Sequence, residues 1–399
     1  MEAQEATAAI QADREYVLQT YAKPDFVIER GEGVYLYDTE GRRYLDFVAG
    51  IAVNALGYGD PDITRAITDQ ADKLIHLSNL YHSIPAGELA RMLVEQTPGL
   101  DRVFFCNSGA EAIEGAIKFA RRHARAHFGP EKTTIVAFDG SFHGRTMGAV
   151  AVTAREKYRE PFMPVMPGVR FARYNDLESL REQMCTDVCA VLIEPVQGEG
   201  GLRSADPAFL QSARKLCDEF NALLIFDEIQ SGVGRTGTLW AHEPSGVRPD
   251  LMTIAKPLAG GLPIGGILLT QNVADSIQAG DHGTTFGGNP LAAHVAATVF
   301  RKISDPAFLA RVREVSSYLD ESLADLQAEF PDTVLELRGC GLMRGIRIAG
   351  SAARVREIAQ QQHVLIATAG DDVLRLVPPL IITSQHVDEA IEVLRKALS

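Results

Sequence analysis

The residue best placed for covalent chemistry in this chain is Lys256. The 399 residues include nine lysines against thirty arginines. Most of those lysines lie among other charges. Lys256 instead follows the apolar run Leu251-Met252-Thr253-Ile254-Ala255 and precedes Leu258-Ala259-Gly260-Gly261. Burial disfavours an ammonium ion and lowers a lysine's pKa. A neutral amine there could form a Schiff base with a carbonyl. The plain alternative is a lysine ending a strand and reaching water. Lys256 alone does not choose between the two.

Other segments supply complementary chemistry. Asp227 and Glu228 directly follow the apolar run Leu223 to Phe226, twenty-nine residues before Lys256. A carboxylate there could bind Mg²⁺ in a nucleotidase, but the chain lacks a G-x-x-x-x-G-K-[ST] loop. It could also face a pyridinium nitrogen and keep it protonated. On adjacent strands Asp227 and Lys256 could reach one ring. Asn107-Ser108-Gly109-Ala110-Glu111-Ala112 follows another apolar run and opens a long helical segment. Free amides at such a helix start suit a phosphate, although an ordinary serine cap has the same sequence. Phe142 offers an aromatic face and Arg145 a planar carboxylate binder. The segment Asp281 to Pro290 offers the hydroxyls of Thr284 and Thr285. Gly232-Val233-Gly234-Arg235-Thr236-Gly237 matches G-x-G-x-x-G, but it neither abuts its strand nor opens a helix, so it is not a dinucleotide fingerprint.

These residues need a frame. Residues 5–20 read as an amphipathic helix. Val27-Ile28, Val34 to Tyr37 and Tyr44 to Phe47 read as a small antiparallel meander with Gly and Asp turns. From residue 61, helical segments (61–77, 85–97, 110–127, 207–219) alternate with apolar runs at 103–105, 134–138, 190–193, 223–226, 251–255 and 266–269. Uninterrupted apolar strands between helices predict an α/β fold whose mostly parallel sheet is covered on both faces. Ligands in such folds bind at the strands' carboxyl ends, where the motifs fall. Beyond 301 the alternation restarts, with helices near 306–329, 351–359 and 386–397 and strands near 333–338, 343–348 and 373–377. The expected division is 1–60 for the helix and meander, packing with the small domain; 61–300 for the large domain; and 301–399 for a smaller α/β domain. At this length more than one core is expected.

Composition narrows the class. A net charge of −13 argues against nucleic-acid partners. Pro257 to Ala274, a long uncharged stretch, is broken by prolines and glycines and makes a poor membrane span. The acidic start, with Glu2 and Glu5, does not read as a signal peptide. Five cysteines without framework spacing suggest a reducing compartment, so the expected location is cytoplasmic. Cys185-x3-Cys189 has no second pair, and His123-x3-His127 has no third ligand, so no metal is expected.

Taken together, six ordered motifs resemble class III pyridoxal-phosphate-dependent aminotransferases of fold type I, from about Asp25 to the C-terminus. They are Asn107–Ala112, Phe142–Thr146, Glu194–Glu199, Asp227–Gln230, Ile254–Lys256 and Thr284–Pro290. The resemblance implies pyridoxal phosphate as cofactor. It implies that Lys256 carries the Schiff base and shuttles the proton, and that Asp227 holds the pyridinium N–H. It assigns cofactor contacts to Ser108, Gly109, Ala110, Phe142 (stacked on the ring), Glu228, Ile229 and Gln230 (on the phenolic oxygen). Thr285 would reach the cofactor phosphate of a neighbouring subunit, making a homodimer the active unit. Ala110 stands where the family often has threonine, and Pro257 where alanine or glycine is common.

Within the class the chain is most similar to acetylornithine aminotransferases, on Gly50–Gly57, His76–Tyr81, Phe142–Arg145 and Leu374–Leu380. Ornithine δ-aminotransferases tend to have tryptophan where His143 stands. The implied reaction moves the terminal amine of N2-acetyl-L-ornithine to 2-oxoglutarate. Arg145 would grip the α-carboxylate, Arg375 the second carboxylate of 2-oxoglutarate, and Glu199 would pair with Arg375 when the diamino acid is bound. Thr284 would lie near the substrate. Acetyl-lysine, succinylornithine, ornithine and 4-aminobutyrate remain alternative donors, since one methylene is worth only roughly 1–3 kcal/mol of discrimination. More distant alternatives are a nucleotide-binding α/β protein and a silent binding relative.

Overall fold

The computed structural model describes residues 2–399, with side chains from residue 4 onward; Met1 of the expected 1–60 segment lies outside them. The first helix, Glu2–Tyr16, starts and ends earlier than expected, and most of its residues are exposed. The Gln19 side chain donates to the carbonyls of Asp13 and Val17, at 2.7 and 2.6 Å. It thereby ties the chain after the helix to the last helical turn, where the Val17 amide also donates to the Asp13 carbonyl at 3.0 Å.

The meander forms as β1 (Ile28–Glu32), β2 (Tyr35–Asp38) and β3 (Arg43–Asp46), each antiparallel to the next. Asp38 Oδ1 accepts from the amides of Glu40 and Arg42 and shapes the second turn.

The central sheet has seven strands: β4 (Arg102–Cys106), β5 (Thr134–Phe138), β6 (Val169–Ala172), β7 (Val188–Ile193), β8 (Leu223–Asp227), β9 (Leu251–Ile254) and β10 (Gly265–Leu269). Their order is β4-β10-β9-β8-β7-β5-β6, and β10 alone runs against its neighbours. Both faces are covered. Along β5, Ile135 and Ala137 join the core under the helix Gly109–Phe128, while Val136 and Phe138 join the core on the opposite face. That double burial is why the middle strands are apolar at nearly every position, with Thr134 and Thr253 as buried hydrogen-bonded exceptions. β6 was not anticipated. It lies at the sheet edge, and Arg170 interrupts its apolar pattern.

The C-terminal sheet consists of β11 (Val334–Cys340), β12 (Met343–Ile348), β14 (Ala367–Thr368) and β15 (Val373–Leu376), ordered β11-β12-β15-β14 and antiparallel throughout. The short β13 (Val364–Leu365) leaves this region and pairs in parallel with β3, adding a fourth strand to the meander. The helices Pro306–Glu329, Ala352–Gln361 and Ser384–Leu398 match the three expected there within a few residues. The helices Pro61–Ala71 and Ile84–Glu95 are shorter than expected. Between them, Leu74, Ile75, Leu80 and Tyr81 extend the apolar pattern but are exposed, so no core holds a helix there. No helix among the described residues is long and apolar enough to cross a membrane.

Candidate active site

A cavity of about 420 Å³ lies at the carboxyl edge of the central sheet, within the size range of small-molecule sites. β8 and β9 pair in parallel, with Asp227 opposite Thr253. Asp227 therefore ends one strand, and Lys256 follows the end of its neighbour. Both line the cavity.

Asp227 is only 4% exposed. Its Oδ1 accepts from the Ile229 amide at 3.0 Å and from Thr253 Oγ1 at 3.2 Å; its Oδ2 accepts from His143 Nδ1 at 2.7 Å. Three donors thus fix the carboxylate. Burial opposes charge on His143, but the bond to Asp227 and the nearby carboxylates of Asp227 and Glu194 outweigh it and raise its pKa. Glu194 also lines the cavity. Burial pushes its pKa up to about 7, against the pull of His143 and of the Phe142 and Gly198 amides that donate to it.

Lys256 has φ +21, a backbone conformation that non-glycine residues rarely adopt. Such strain is of order 1–3 kcal/mol and is tolerated where the surroundings enforce it. Burial, followed by the positive charge of Arg375, lowers the Lys256 pKa to about 8; Asp227, Glu199 and Glu194 pull the other way.

The helix Gly109–Phe128 starts at the cavity wall. The Ser108 side chain caps it by accepting from the Glu111 amide. The amides of Gly109 and Ala110 have no carbonyl one turn back to donate to. Two glycines permit the close approach. A Cβ on Gly109 would lie 2.8 Å from Ile229, and one on Gly265 would lie 2.5 Å from the Ser108 carbonyl.

Phe142, Arg145, Ile229 and Gln230 also line the cavity, and Gln230 Oε1 is buried without a partner. Arg145 is exposed at the mouth, with its guanidinium carbon 3.5 Å from the Tyr158 ring centroid. Arg375, on β15, is buried and donates to Glu199 Oε1 at 2.6 Å.

Some expected residues lie elsewhere. The Glu228 carboxylate is fully buried and accepts from Ser231 Oγ, the Ala241 and His242 amides and His242 Nδ1. It does not line the cavity. Its carboxylate braces the following loop. Thr284 and Thr285 also lie off the cavity wall. Thr284 Oγ1 accepts from Asn107 and from the Gly287 amide, while Thr285 is exposed. His123 and His127 share Ser276 Oγ. The Gly232–Gly237 turn leads to no long helix, only to the 3-10 turn Glu243–Ser245. The sequence assigns no role beside Asp227 to His143 or Glu194. Nothing in their spacing points to contact with Asp227, because they come from the ends of β5 and β7, the strands beyond β8.

A buried carboxylate ending β8, a buried amine just past the neighbouring β9 and free helix-start amides just past β4, all lining one cavity, suit pyridoxal phosphate. This is the site of a fold type I pyridoxal-phosphate-dependent transferase. Residues 16–398 match the model of the family described as Aminotransferase class-III, and the chain belongs to that family. It is an aminotransferase, and pyridoxal phosphate is its cofactor. Among its relatives, the acetylornithine aminotransferase of Alnus glutinosa is 51% identical over 384 residues, covering 95% of this chain and 85% of that one. The probable acetylornithine aminotransferase of Dictyostelium discoideum is 48% identical over 388 residues, covering 96% and 86%. Among solved structures, the ornithine aminotransferase of Toxoplasma gondii superposes with TM-score 0.94 at 32% identity, covering 98% of this chain and 94% of that one. The N-acetylornithine aminotransferase of Stenotrophomonas maltophilia has TM-score 0.84 at 41% identity, covering 97% and 98%. Backbone similarity thus spans both donor types, and the choice between them rests on sequence identity and the site.

Proposed function

We propose that this chain transfers the terminal amine of N2-acetyl-L-ornithine to 2-oxoglutarate, giving N-acetylglutamate 5-semialdehyde and glutamate, as in arginine biosynthesis. The observation that carries this reading is the Glu199–Arg375 ion pair beside the cavity that Lys256 enters. Closed, the pair neutralises Arg375 for a donor with one carboxylate. Open, it frees Arg375 for the second carboxylate of 2-oxoglutarate. Identities of 44–51% to proteins named acetylornithine aminotransferase support the same donor.

Bound pyridoxal phosphate supplies an electron-accepting ring that stabilises negative charge on a substrate carbon. The chain's residues do the rest. Lys256 would hold the cofactor covalently through its Nζ, and the same amine would move a proton at the substrate carbon. Asp227 holds the proton on the ring nitrogen, and His143 orients Asp227. Gly109 and Ala110 hold the phosphate through their amides, with Ser108 capping the helix that presents them. Phe142 would cover the ring, Ile229 would lie against it, and Gln230 would hold the phenolic oxygen through its amide N–H. Arg145 grips the α-carboxylate.

Thr285 and Thr284 serve the second subunit's site in a homodimer. Their loop is tied to residue 79 by Asn79 Nδ2, which donates to the carbonyls of Thr284 and Gly287. Nearby Leu80, Tyr81 and Phe286 are 81, 72 and 60% exposed, an apolar patch fit for a second copy. All five cysteines are unpaired, in keeping with a cytoplasmic location.

The test compares kcat/KM for acetylornithine, acetyl-lysine, succinylornithine, ornithine and 4-aminobutyrate, each with 2-oxoglutarate. Acetylornithine is expected to lead. A preference for ornithine or 4-aminobutyrate would overturn the proposal.

A further inference from the structure

Arg145 and Arg375 are held in opposite ways. Arg375 is buried and ion-paired with Glu199. Arg145 is exposed and has no carboxylate or carbonyl partner among the described residues. What restrains it is aromatic. Its guanidinium carbon lies 3.5 Å from the Tyr158 ring centroid and 5.5 Å from that of Phe142. The two rings meet edge to face, with centroids 6.0 Å apart.

A guanidinium stacked on a ring loses freedom of its plane but none of its in-plane N–H donors. A carboxylate partner would fix the plane too, but would occupy the donors a substrate needs. Tyr158 thus gives what a paired acid cannot: an oriented arginine with its fork open for a bidentate carboxylate.

Tyr158 is itself tied down. It sits on the single turn Glu156–Arg159. Arg155, at the start of that turn, donates to the Glu199 carbonyl. Arg159, at its end, donates to Ala154 O at 3.1 Å and stacks over Phe171 at 4.6 Å. One short segment therefore touches Arg145 through Tyr158 and the Glu199 backbone through Arg155.

We propose that Tyr158 is a positioning residue for Arg145, orienting its guanidinium plane for the donor's α-carboxylate and so setting selectivity for carboxylate-bearing amines. The inference rests on the reading that Arg145 binds that carboxylate, and the experiment separates the two. The readout is the ratio of kcat/KM for N2-acetylornithine to that for its decarboxylated analogue, N-acetyl-1,4-diaminobutane, with 2-oxoglutarate as acceptor. The variants are Tyr158→Leu, Tyr158→Phe and Arg145→Ala, each as holoenzyme with its cofactor absorbance recorded. Tyr158→Gln replaces the leucine variant if the latter does not fold.

Tyr158→Leu should lower the ratio about three- to tenfold through the KM of acetylornithine, with cofactor absorbance and activity on the analogue kept. Tyr158→Phe, which keeps the ring, should stay near the parent ratio. Arg145→Ala should collapse the ratio, and adding Tyr158→Leu to it should change nothing more. If Tyr158→Leu keeps the parent ratio while Arg145→Ala loses it, the inference falls and the Arg145 reading stands. If neither variant loses it, both fall. Equal losses in the leucine and phenylalanine variants would overturn stacking as the cause.

Discussion

His143 Nδ1 donates to Asp227 Oδ2 across 2.7 Å, and both side chains are buried. The bond joins the turn after β5 to the end of β8, with β7 between them in the sheet. Asp227 is therefore held in place from outside its own strand. Replacing it by asparagine keeps the shape but removes the charge that a protonated ring nitrogen needs. Asp227→Asn should slow the donor half-reaction by on the order of 10²–10³-fold, the scale of losing one preorganised electrostatic contact. Single-turnover absorbance with acetylornithine measures this. A loss of under tenfold would remove Asp227 from the ring nitrogen.

The lowered Lys256 pKa predicts a pH profile. Only the neutral amine attacks a carbonyl, and burial brings its pKa down to about 8 from the usual lysine value. Covalent capture of pyridoxal phosphate by the cofactor-free protein should speed up as pH rises and level off above a midpoint near 8. A midpoint near that of a free lysine, about 10.4, would contradict the buried-amine account. Lys256→Ala should abolish the capture and lower transamination by roughly 10²–10⁴-fold from the lost proton transfer alone.

Glu194 predicts a stability effect of defined sign. Its folded-state pKa is raised to about 7, so the folded protein holds this proton more tightly than the unfolded chain. Its contribution is fully present below the unfolded value near 4.3 and is lost as pH rises towards 7. Relative to Glu194→Gln, the parent protein should lose melting temperature progressively from about pH 4.5 to 7. Melting scans of both cofactor-free proteins across that range check it. A parallel pair of curves would mean Glu194 is already ionised at low pH.

Glu199→Ala frees Arg375 from its partner. The variant should narrow the preference for acetylornithine over glutamate as donor, because Arg375 is then always available to a second carboxylate. Unchanged discrimination, from kcat/KM for both donors, would rule out gating by Glu199.

Much of the frame was legible in the chain, for a physical reason. Strands buried on both faces carry few polar residues, so 134–138 and 223–226 read as strands from their nearly continuous apolar runs. Where burial is partial the signal fades. Arg170 hides β6 at the edge, and the two-residue β13 and β14 are too short for any periodicity. The pattern over 61–77 predicts a longer helix than Pro61–Ala71, yet Leu74 and Ile75 are exposed. Lys256 and Asp227 were legible because each ends an apolar run. The bonds that orient them were not, since His143 is eighty-four residues from Asp227 and only the strand order brings the two together. Glu228 is the converse case, since its place beside Asp227 does not reveal that its carboxylate braces the loop to His242 and lies off the cavity.

The reversed strand β10 lies between β4, which leads into the Ser108 turn, and β9, which leads into Lys256. Gly265 pairs with Cys106 on one side, and Gly266 with Ile254 on the other. Two rungs of about 4.8 Å therefore separate the phosphate turn from the lysine strand, a span of roughly 10 Å along the hydrogen-bonding direction. The backbone ladder acts as a ruler, rigid because each rung is hydrogen-bonded at the same register that sets the others. A carbonyl compound that contacts the helix start and the amine at once must bridge the separation these rungs set between the two backbones. Gly265 is the mark at which one added methyl, driven into the Ser108 carbonyl, would recalibrate that ruler.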